Sequence, residues 1–239
     1  MPASSSPKKF LTRLLKILTI IFLASIFFSG LYFSGNYFKI KTIVVDNGQV
    51  DVLGLDEIKN YNMLFSSEKE ISNLIISKNP SVRSVVLEKK YPSTLIVKLS
   101  FYQPVMVLPV DTGFFFLAQD GRIIKKTRTN DSGLPVINFY QKLNFQSYNP
   151  GDVVDFKEIS EGLFFLKSLV DFDLKPVSLD INGINMLVFN LLDKKIIFDS
   201  EKDRSLQVYQ LEQIVRQFKI EGKQYKEIDL RFDKPVVRF

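Results

Sequence analysis

The chain has 239 residues, of which 46% are apolar and 24% charged, the composition of a folded protein. It contains no Cys, no His and no Trp. These absences exclude a Ser-His-Asp triad, a thiol nucleophile, a disulfide framework and an ordinary zinc site. The remaining catalytic chemistries use carboxylates, a Ser-Lys or Thr nucleophile, or a magnesium or calcium ion bound by oxygens.

An uncharged apolar segment runs from Ile17 to Phe38. As a helix it would be about 33 Å long, against a hydrocarbon core of about 30 Å. The residues before it include four basic side chains and no acidic one: Lys8, Lys9, Arg13 and Lys16. This pattern predicts a cytoplasmic tail over residues 1–16, a transmembrane helix over residues 17–38 and an extracytoplasmic remainder.

Two other interpretations of this segment stay open. A cleaved signal peptide would have a shorter apolar run and a small-x-small pair, which residues 24–36 lack. A buried core helix would have a polar face, which residues 18–28 lack. We therefore favour an uncleaved anchor.

Most of the positive charge belongs to the tail. The formal net charge is +6, and the four basic residues of the tail contribute most of it. The external part is nearly neutral and shows no basic patch interleaved with aromatic residues, so we expect no nucleic-acid partner.

Residues 40–100 predict a β-α-α-β-β unit. Asn79 and Pro80 end its second helix, which begins at a capping box formed by Ser67 and Glu70. The predicted elements are a strand over 40–46, a short helix that opens at residues 55–58, a second helix from the cap at Ser67 to Lys78, and strands over 82–90 and 94–100. The side chains expected in its core are Val82, Val85, Leu95 and Val97.

The sequence of residues 79–99 resembles the closing half of a POTRA domain, specifically that of the bacterial cell-division family FtsQ/DivIB. The matching features are Pro80 after the helix, the alternating strand, the turn at Pro92, and Pro104 twelve residues later. Family members carry an acidic residue three positions before that last proline, where this chain has Phe101. The resemblance implies a POTRA-like domain over residues 39–103.

Residues 104–239 predict strands followed by one clear helix. Asp120-Gly121 and Asn182-Gly183 are hairpin signals, the latter between strands over 177–181 and 184–191. Helices are expected over residues 158–170 and, for about 18 residues, after the cap at residues 200–203.

A final alternating strand, Ile228 to Phe232, followed by Pro235, resembles the strand that closes the FtsQ/DivIB β domain. The whole chain is therefore expected to be α+β: a transmembrane helix, a β-α-α-β-β POTRA-like domain, and a second α+β domain. The second domain is expected to have a mainly antiparallel sheet with a C-terminal edge strand.

The family resemblance implies a non-enzymatic scaffold of the division machinery, without cofactor, metal or small-molecule substrate. It would lie in the cytoplasmic membrane at the division septum, and its partners would be FtsB/DivIC-like and FtsL-like coiled-coil proteins. An unpaired strand edge over residues 226–239 would accept an extended peptide by β-augmentation. The resemblance assigns partner contact to Arg231, Phe232, Pro235, Val236 and Val237.

A simpler interpretation of two of these residues stays open. Arg231 is also explained as an exposed strand residue beside a local carboxylate, and Phe232 shares the parity of Leu230, which predicts a buried side chain. Reversing the charge of Arg231 is expected to weaken binding of an acidic partner without altering the fold.

Two other classes of protein stay open. A membrane-anchored cell-wall hydrolase would use paired carboxylates such as Asp152, Asp155 and Glu158, although acids at a helix start are usually caps. A POTRA-bearing outer-membrane assembly protein would need many more alternating strands and a cleaved signal, neither of which the sequence predicts.

Overall fold

The computed structural model describes residues 7–46, 51–183 and 185–239. The first six residues of the predicted tail and Ile184, the first residue of a predicted strand, lie outside these ranges. The chain divides into two compact units, residues 1–100 and residues 101–239. The predicted α+β class is confirmed, with one apolar N-terminal helix and extensive sheet.

Helix α1 spans Pro7–Tyr37, so it begins ten residues before the uncharged segment. Its part from Leu15 to Tyr37 is long and apolar enough to cross a membrane. The large apolar side chains described along this part are exposed, as expected for a helix that packs against lipid.

Unit 1 continues after the helix with strands and helices in the order β-α-α-β-β. Its elements are β1 (Thr42–Val45), α2 (Leu55–Ile58), α3 (Glu68–Lys78), β2 (Val82–Lys90) and β3 (Thr94–Phe101). The three strands form a sheet in the order β1-β3-β2, in which β1 and β3 are parallel. Ser67 is the N-cap of α3, as predicted, but its side chain makes no capping hydrogen bond.

The core of unit 1 is centred on β3. Val82, Leu95 and Val97 are buried as predicted, whereas Val85 is only half-buried. The reason is its place in the sheet, because β2 is an edge strand and β3 lies in the middle. Side chains on the outer strand have neighbours on one side only.

Unit 2 contains a nine-stranded sheet and two long helices. Its elements are β4 (Met106–Val110), β5 (Gly113–Leu117), β6 (Ile123–Thr127), β7 (Val136–Phe139), α4 (Lys157–Asp171), β8 (Ser178–Ile181), β9 (Met186–Asn190), β10 (Lys195–Asp199), α5 (Arg204–Glu221), β11 (Glu227–Asp229) and β12 (Val236–Arg238). The strand order is β12-β11-β10-β9-β8-β7-β4-β5-β6. Most neighbouring strands are antiparallel, as predicted; the parallel pairs are β4 with β7, β7 with β8 and β10 with β11.

Helices α4 and α5 are the crossovers between parallel strands, and both pack into the core of unit 2. The rings of Phe165 on α4 and Phe198 on β10 are stacked with centroids 4.0 Å apart. Gly162 brings α4 close to β8, because a side-chain carbon at this position would collide with Leu179. Helix α5 ends at Gly222, whose φ of 65° is a conformation that glycine adopts without strain.

Replacing Val97 by Asp should remove the amide protection of β1 and β3 in the full-length protein in detergent. An unpaired carboxylate in the core costs several kcal/mol, against a total stability of about 5–15 kcal/mol. Hydrogen exchange measures the effect, with Val86→Asp as the control because the side chain of Val86 is 59% exposed. Unchanged protection in Val97→Asp would contradict this description of the core.

Candidate functional site

The C-terminal residues form a hairpin at one edge of the nine-stranded sheet. Strands β11 and β12 are antiparallel, with Ile228 opposite Val237, and β12 is the outermost strand. The predicted strand from Ile228 to Phe232 is too long, because β11 ends at Asp229. The signal for the reversal was Asp233-Lys234-Pro235, a turn-forming sequence that cannot continue a regular strand.

The five predicted partner-binding residues all lie on this hairpin. Arg231 and Phe232 belong to the turn, Pro235 directly precedes β12, and Val236 and Val237 lie on β12. Val236 is exposed, whereas Val237 is half-buried and packs against the core of unit 2. These residues, which are close in sequence, thus all lie on the turn and the outermost strand.

The expectation that Phe232 is buried is wrong. Its side chain is 53% exposed, and its ring centroid lies 5.6 Å from the guanidinium carbon of Arg231. The parity with buried Leu230 does not extend to Phe232, because the chain has already left the strand. An exposed aromatic side chain beside an open strand is available for contact.

Arg231 has a buried carboxylate partner, Asp229, which is 3% exposed. The Arg231 side chain donates from Nε to Asp229 Oδ1 at 3.0 Å and from Nη2 to Oδ2 at 2.7 Å, a bidentate pair. The backbone N–H of Arg231 also donates to Oδ1, at 3.1 Å. The interpretation of Arg231 as a residue with a local carboxylate neighbour therefore describes its observed contacts.

These contacts shift the ionisation of both groups. Burial opposes ionisation of Asp229, but the hydrogen bonds from Arg231 outweigh it, so the pKa of Asp229 lies below its ordinary value. The hydrogen bond to Asp229 raises the pKa of Arg231. Charge reversal at Arg231 would place a second carboxylate against Asp229, so it would also perturb the fold and is a poor test of binding alone.

Helix α5 holds the turn of the hairpin in place. Lys202, just before the helix, donates from Nζ to the carbonyl of Phe232 at 2.6 Å, and Gln210 donates from Nε2 to the carbonyl of Asp233 at 3.1 Å. Sequence reasoning missed these two residues, because neither is close in sequence to the turn that it contacts.

Helix α5 is itself fixed to the sheet by a buried amide. Gln207 Oε1 accepts from the backbone N–H of Asp199 at 2.8 Å, and Nε2 donates to the carbonyl of the same residue at 2.9 Å. The side chain of Asp203 caps the helix by accepting from the N–H of Leu206 at 2.7 Å, so the cap lies at the last residue of the predicted capping box over residues 200–203 and not at Ser200.

The backbone of β11 is divided between its two neighbours. Leu230, directly after β11, donates its N–H to the carbonyl of Ile197 on β10 at 2.9 Å. The N–H and C=O groups of successive residues point to opposite sides of a strand. Those of Leu230 point toward β10, so the N–H and C=O groups of Glu227 and Asp229 point toward β12.

This alternation determines which groups of β12 face outward. Glu227 and Asp229 are opposite Arg238 and Val236, so these two residues of β12 direct their backbone groups back toward β11. The N–H and C=O of Val237 therefore point to the outer side. No strand within the described residues pairs with that side.

The opposite edge of the sheet, at β6, is covered by the segment 145–154. The N–H of Ile123 donates to the carbonyl of Asp152 at 2.9 Å, and the carbonyl of Ile123 accepts from the N–H of Gly151 at 2.8 Å. Lys126 Nζ adds bonds to two carbonyls of the same segment, those of Phe145 and Tyr148. The β6 edge of the sheet is therefore covered, whereas the β12 edge is open among the described residues.

A surface cleft of about 500 Å³ adjoins the open edge. It lies between the turn joining β9 to β10 and the last residues of the chain, and its lining includes Lys194, Lys195, Lys226 and Arg238. Lys194 Nζ lies 4.8 Å from the ring centroid of buried Tyr225. Burial raises the pKa of the Tyr225 phenol. The lining also includes two acidic residues, Asp193 and Glu227, and the apolar Leu191, Leu192 and Phe239, so the cleft is mixed in character.

The acidic residues considered for hydrolysis lie before and at the start of α4. Asp152 Oδ2 accepts from the N–H of Asn149 at 2.7 Å, a local turn contact. Glu158 is in the first turn of the helix, and the N-cap is Phe156, so Asp155 does not cap it.

Replacing Arg231 by Ala should destabilise unit 2 by about 1–3 kcal/mol, because buried Asp229 then loses its partner. Arg238→Ala is the matched control: it breaks an ion pair with Glu227 at 3.0 Å whose arginine is mostly exposed, with an expected cost of about 0–1 kcal/mol. Urea denaturation of residues 39–239, followed by circular dichroism, measures both. Equal midpoints for the two variants would contradict the assignment.

No family model matches the chain. It is similar to a protein named cell division protein DivIB from Clostridium botulinum, with 28% identity over 144 residues. The aligned region covers 59% of this chain and 54% of the relative, so the match spans about half the length of that protein. This similarity agrees with the resemblance to the FtsQ/DivIB family noted in the sequence, and within the described residues it accompanies an α+β fold and one apolar N-terminal helix.

Proposed function

We propose that the chain is a non-enzymatic, single-pass membrane scaffold of the cell-division machinery. In this proposal residues 1–16 are cytoplasmic and residues 17–38 cross the cytoplasmic membrane at the septum. Residues 39–103 form a POTRA-like domain and residues 104–239 a β domain, both outside the cytoplasm. The similarity to DivIB and the apolar N-terminal helix support this arrangement.

The scaffold binds small coiled-coil division proteins, of the FtsB/DivIC and FtsL kinds, and links them to septal cell-wall synthesis. The docking edge is strand β12, and the bound segment is an extended peptide that adds a strand to the sheet. The observation that carries this proposal is the contrast between the two edges: β6 is covered by residues 145–154, and β12 is open among the described residues.

An added strand would gain both backbone and side-chain contacts. Val237 supplies one outward N–H and one outward C=O, which give direction and register to the pairing. Val236 and Phe232 are exposed apolar side chains beside that backbone, and Pro235 limits how far the pairing extends. Arg231 acts mainly by holding the turn in shape through Asp229.

Recognition of an extended peptide requires an open strand edge, so the proposed site lies at the edge of the sheet and not in a cavity. Open edges of sheets are hazards for aggregation, and natural proteins usually cover or charge them. Here one edge is covered and the other is held in a defined shape by α5 and the Asp229–Arg231 pair. A rigid, open edge is suited to recognition of a specific extended segment.

Replacing Val237 by Pro should weaken binding of FtsB/DivIC-like and FtsL-like extracytoplasmic segments by about 1–3 kcal/mol, because it removes an outward N–H that the added strand needs. Proline is tolerated on an edge strand where the N–H faces solvent. Isothermal titration calorimetry with residues 39–239 measures the affinity.

The control for this experiment is Val237→Ala, which removes both γ-methyl groups but keeps the N–H, so it reports the effect of side-chain packing alone. Circular dichroism establishes that both variants are folded. Unchanged affinity in a folded Val237→Pro variant, together with unchanged affinity after removal of residues 235–239, would place the partner elsewhere on the protein.

The proposed topology has its own test. A reporter that is active only outside the cytoplasm, fused after Phe239, should be active, and the full-length protein should remain in the membrane fraction. Replacing the basic residues of the tail together should weaken this orientation, because they hold the N-terminus inside. A shortened, soluble exported form would contradict the anchor.

A further inference from the structure

The outer end of helix α1 is bonded to a turn of unit 1. Asn62 Nδ2 donates to the carbonyl of Gly35, in the last turn of the helix, at 3.3 Å. The N–H of Met63 donates to the carbonyl of Phe38, directly after the helix, at 2.8 Å. The turn that follows Asn62 is therefore fixed next to the helix end.

That turn carries apolar side chains that the protein leaves exposed. Phe65 is 74% exposed and Leu64 is 45% exposed. Neither side chain contributes to the core, whereas that of neighbouring Met63 is fully buried in it. A polar residue at position 64 or 65 would therefore leave the core unchanged. Two exposed apolar residues in succession thus lie on a turn that is bonded to the end of an apolar helix.

The tip of the β2–β3 hairpin also contacts the residue that follows the helix. Tyr91 is 57% exposed, and its ring is 6.0 Å from that of Phe38 in an edge-to-face arrangement. Phe38 is in turn 5.2 Å from Tyr37, the last residue of α1. The helix end, the turn and the hairpin tip thus present aromatic side chains together.

Lysines accompany these aromatic residues. Lys39 and Lys41 follow the helix, and Lys89 and Lys90 precede Tyr91. Lys89 is mostly buried, because its Nζ lies 3.8 Å from Glu68 and donates to the carbonyl of Ser66 at 3.3 Å, whereas Lys41 and Lys90 are exposed. Aromatic and basic side chains near a helix end are typical of the membrane–water interface, where rings lie among the headgroups and lysines reach phosphates.

We propose that Tyr37, Leu64, Phe65 and Tyr91, with the adjoining lysines, form an interfacial surface that lies in the headgroup layer of the bilayer. This inference rests on the proposed membrane anchor. The bilayer is the occupant that the contacts favour, because the surface is continuous with the helix that crosses it. Unit 1 would then be held by the helix and by this surface, which prevents its free rotation about the helix axis.

The sequence allows a direct test, because it contains no Trp. Phe65→Trp and Tyr91→Trp each introduce one fluorophore at the proposed surface. Val86→Trp is the control: its position is exposed to a similar degree but lies about 17 Å from Tyr91 along β2. Phe27→Trp, in the middle of the apolar helix, reports on insertion of the anchor. Full-length proteins are reconstituted into vesicles of phosphatidylcholine and phosphatidylglycerol that contain a quencher attached to the lipid.

The surface variants should show blue-shifted emission and a loss of fluorescence that is greatest when the quencher is attached near the headgroup. Val86→Trp should show neither effect, and Phe27→Trp should be quenched most by labels deep in the acyl chains. If Phe27→Trp is quenched but both surface variants behave like Val86→Trp, the interfacial surface is wrong and the anchor stands. If Phe27→Trp is not quenched, the anchor itself is wrong, and the inference falls with it.

Discussion

A sheet that does not close into a barrel has two edges, and each edge presents backbone groups that must be covered, paired or left to water. The architecture of unit 2 follows from this constraint. The β6 edge is covered by a segment that supplies its own hydrogen bonds, including two from Lys126. The β12 edge ends the sheet with outward groups on Val237. The proposed partner completes a sheet that the described residues leave incomplete at one side.

The shape of the open edge depends on the ion pair between Arg231 and the buried carboxylate of Asp229. Without Arg231, the carboxylate of Asp229 would be buried and unpaired at the point where β11 ends and the chain reverses. Lys202 and Gln210 then fix the turn to α5. A residue that resembles a family contact residue can therefore act through the shape of the edge, and a change in partner affinity on its substitution does not establish direct contact.

The sequence predicts those features whose signals are local. The end of helix α5 at Gly222 and its start near residues 200–203 are predicted, because capping residues act on adjacent backbone groups; the N-cap itself is Asp203, the last residue of the predicted capping box. The order of strands in the large sheet could not be predicted, since β4 and β7 pair across a long stretch of chain. The exposure of Phe232 was mispredicted because alternation alone does not reveal where a strand stops. The pairing of Asp229 with Arg231 was foreseen only as an alternative, because burial of the carboxylate depends on tertiary packing.

The central claim is that a partner strand pairs with the outer side of β12. Amide hydrogen exchange at the level of single residues, on residues 39–239 with and without the extracytoplasmic segments of the FtsB/DivIC-like and FtsL-like proteins, tests it most directly. The account predicts that the amide of Val237 becomes protected on binding, while the amides of β6 do not change. An unprotected Val237 amide in a saturated complex, with new protection in another part of the protein, would contradict it.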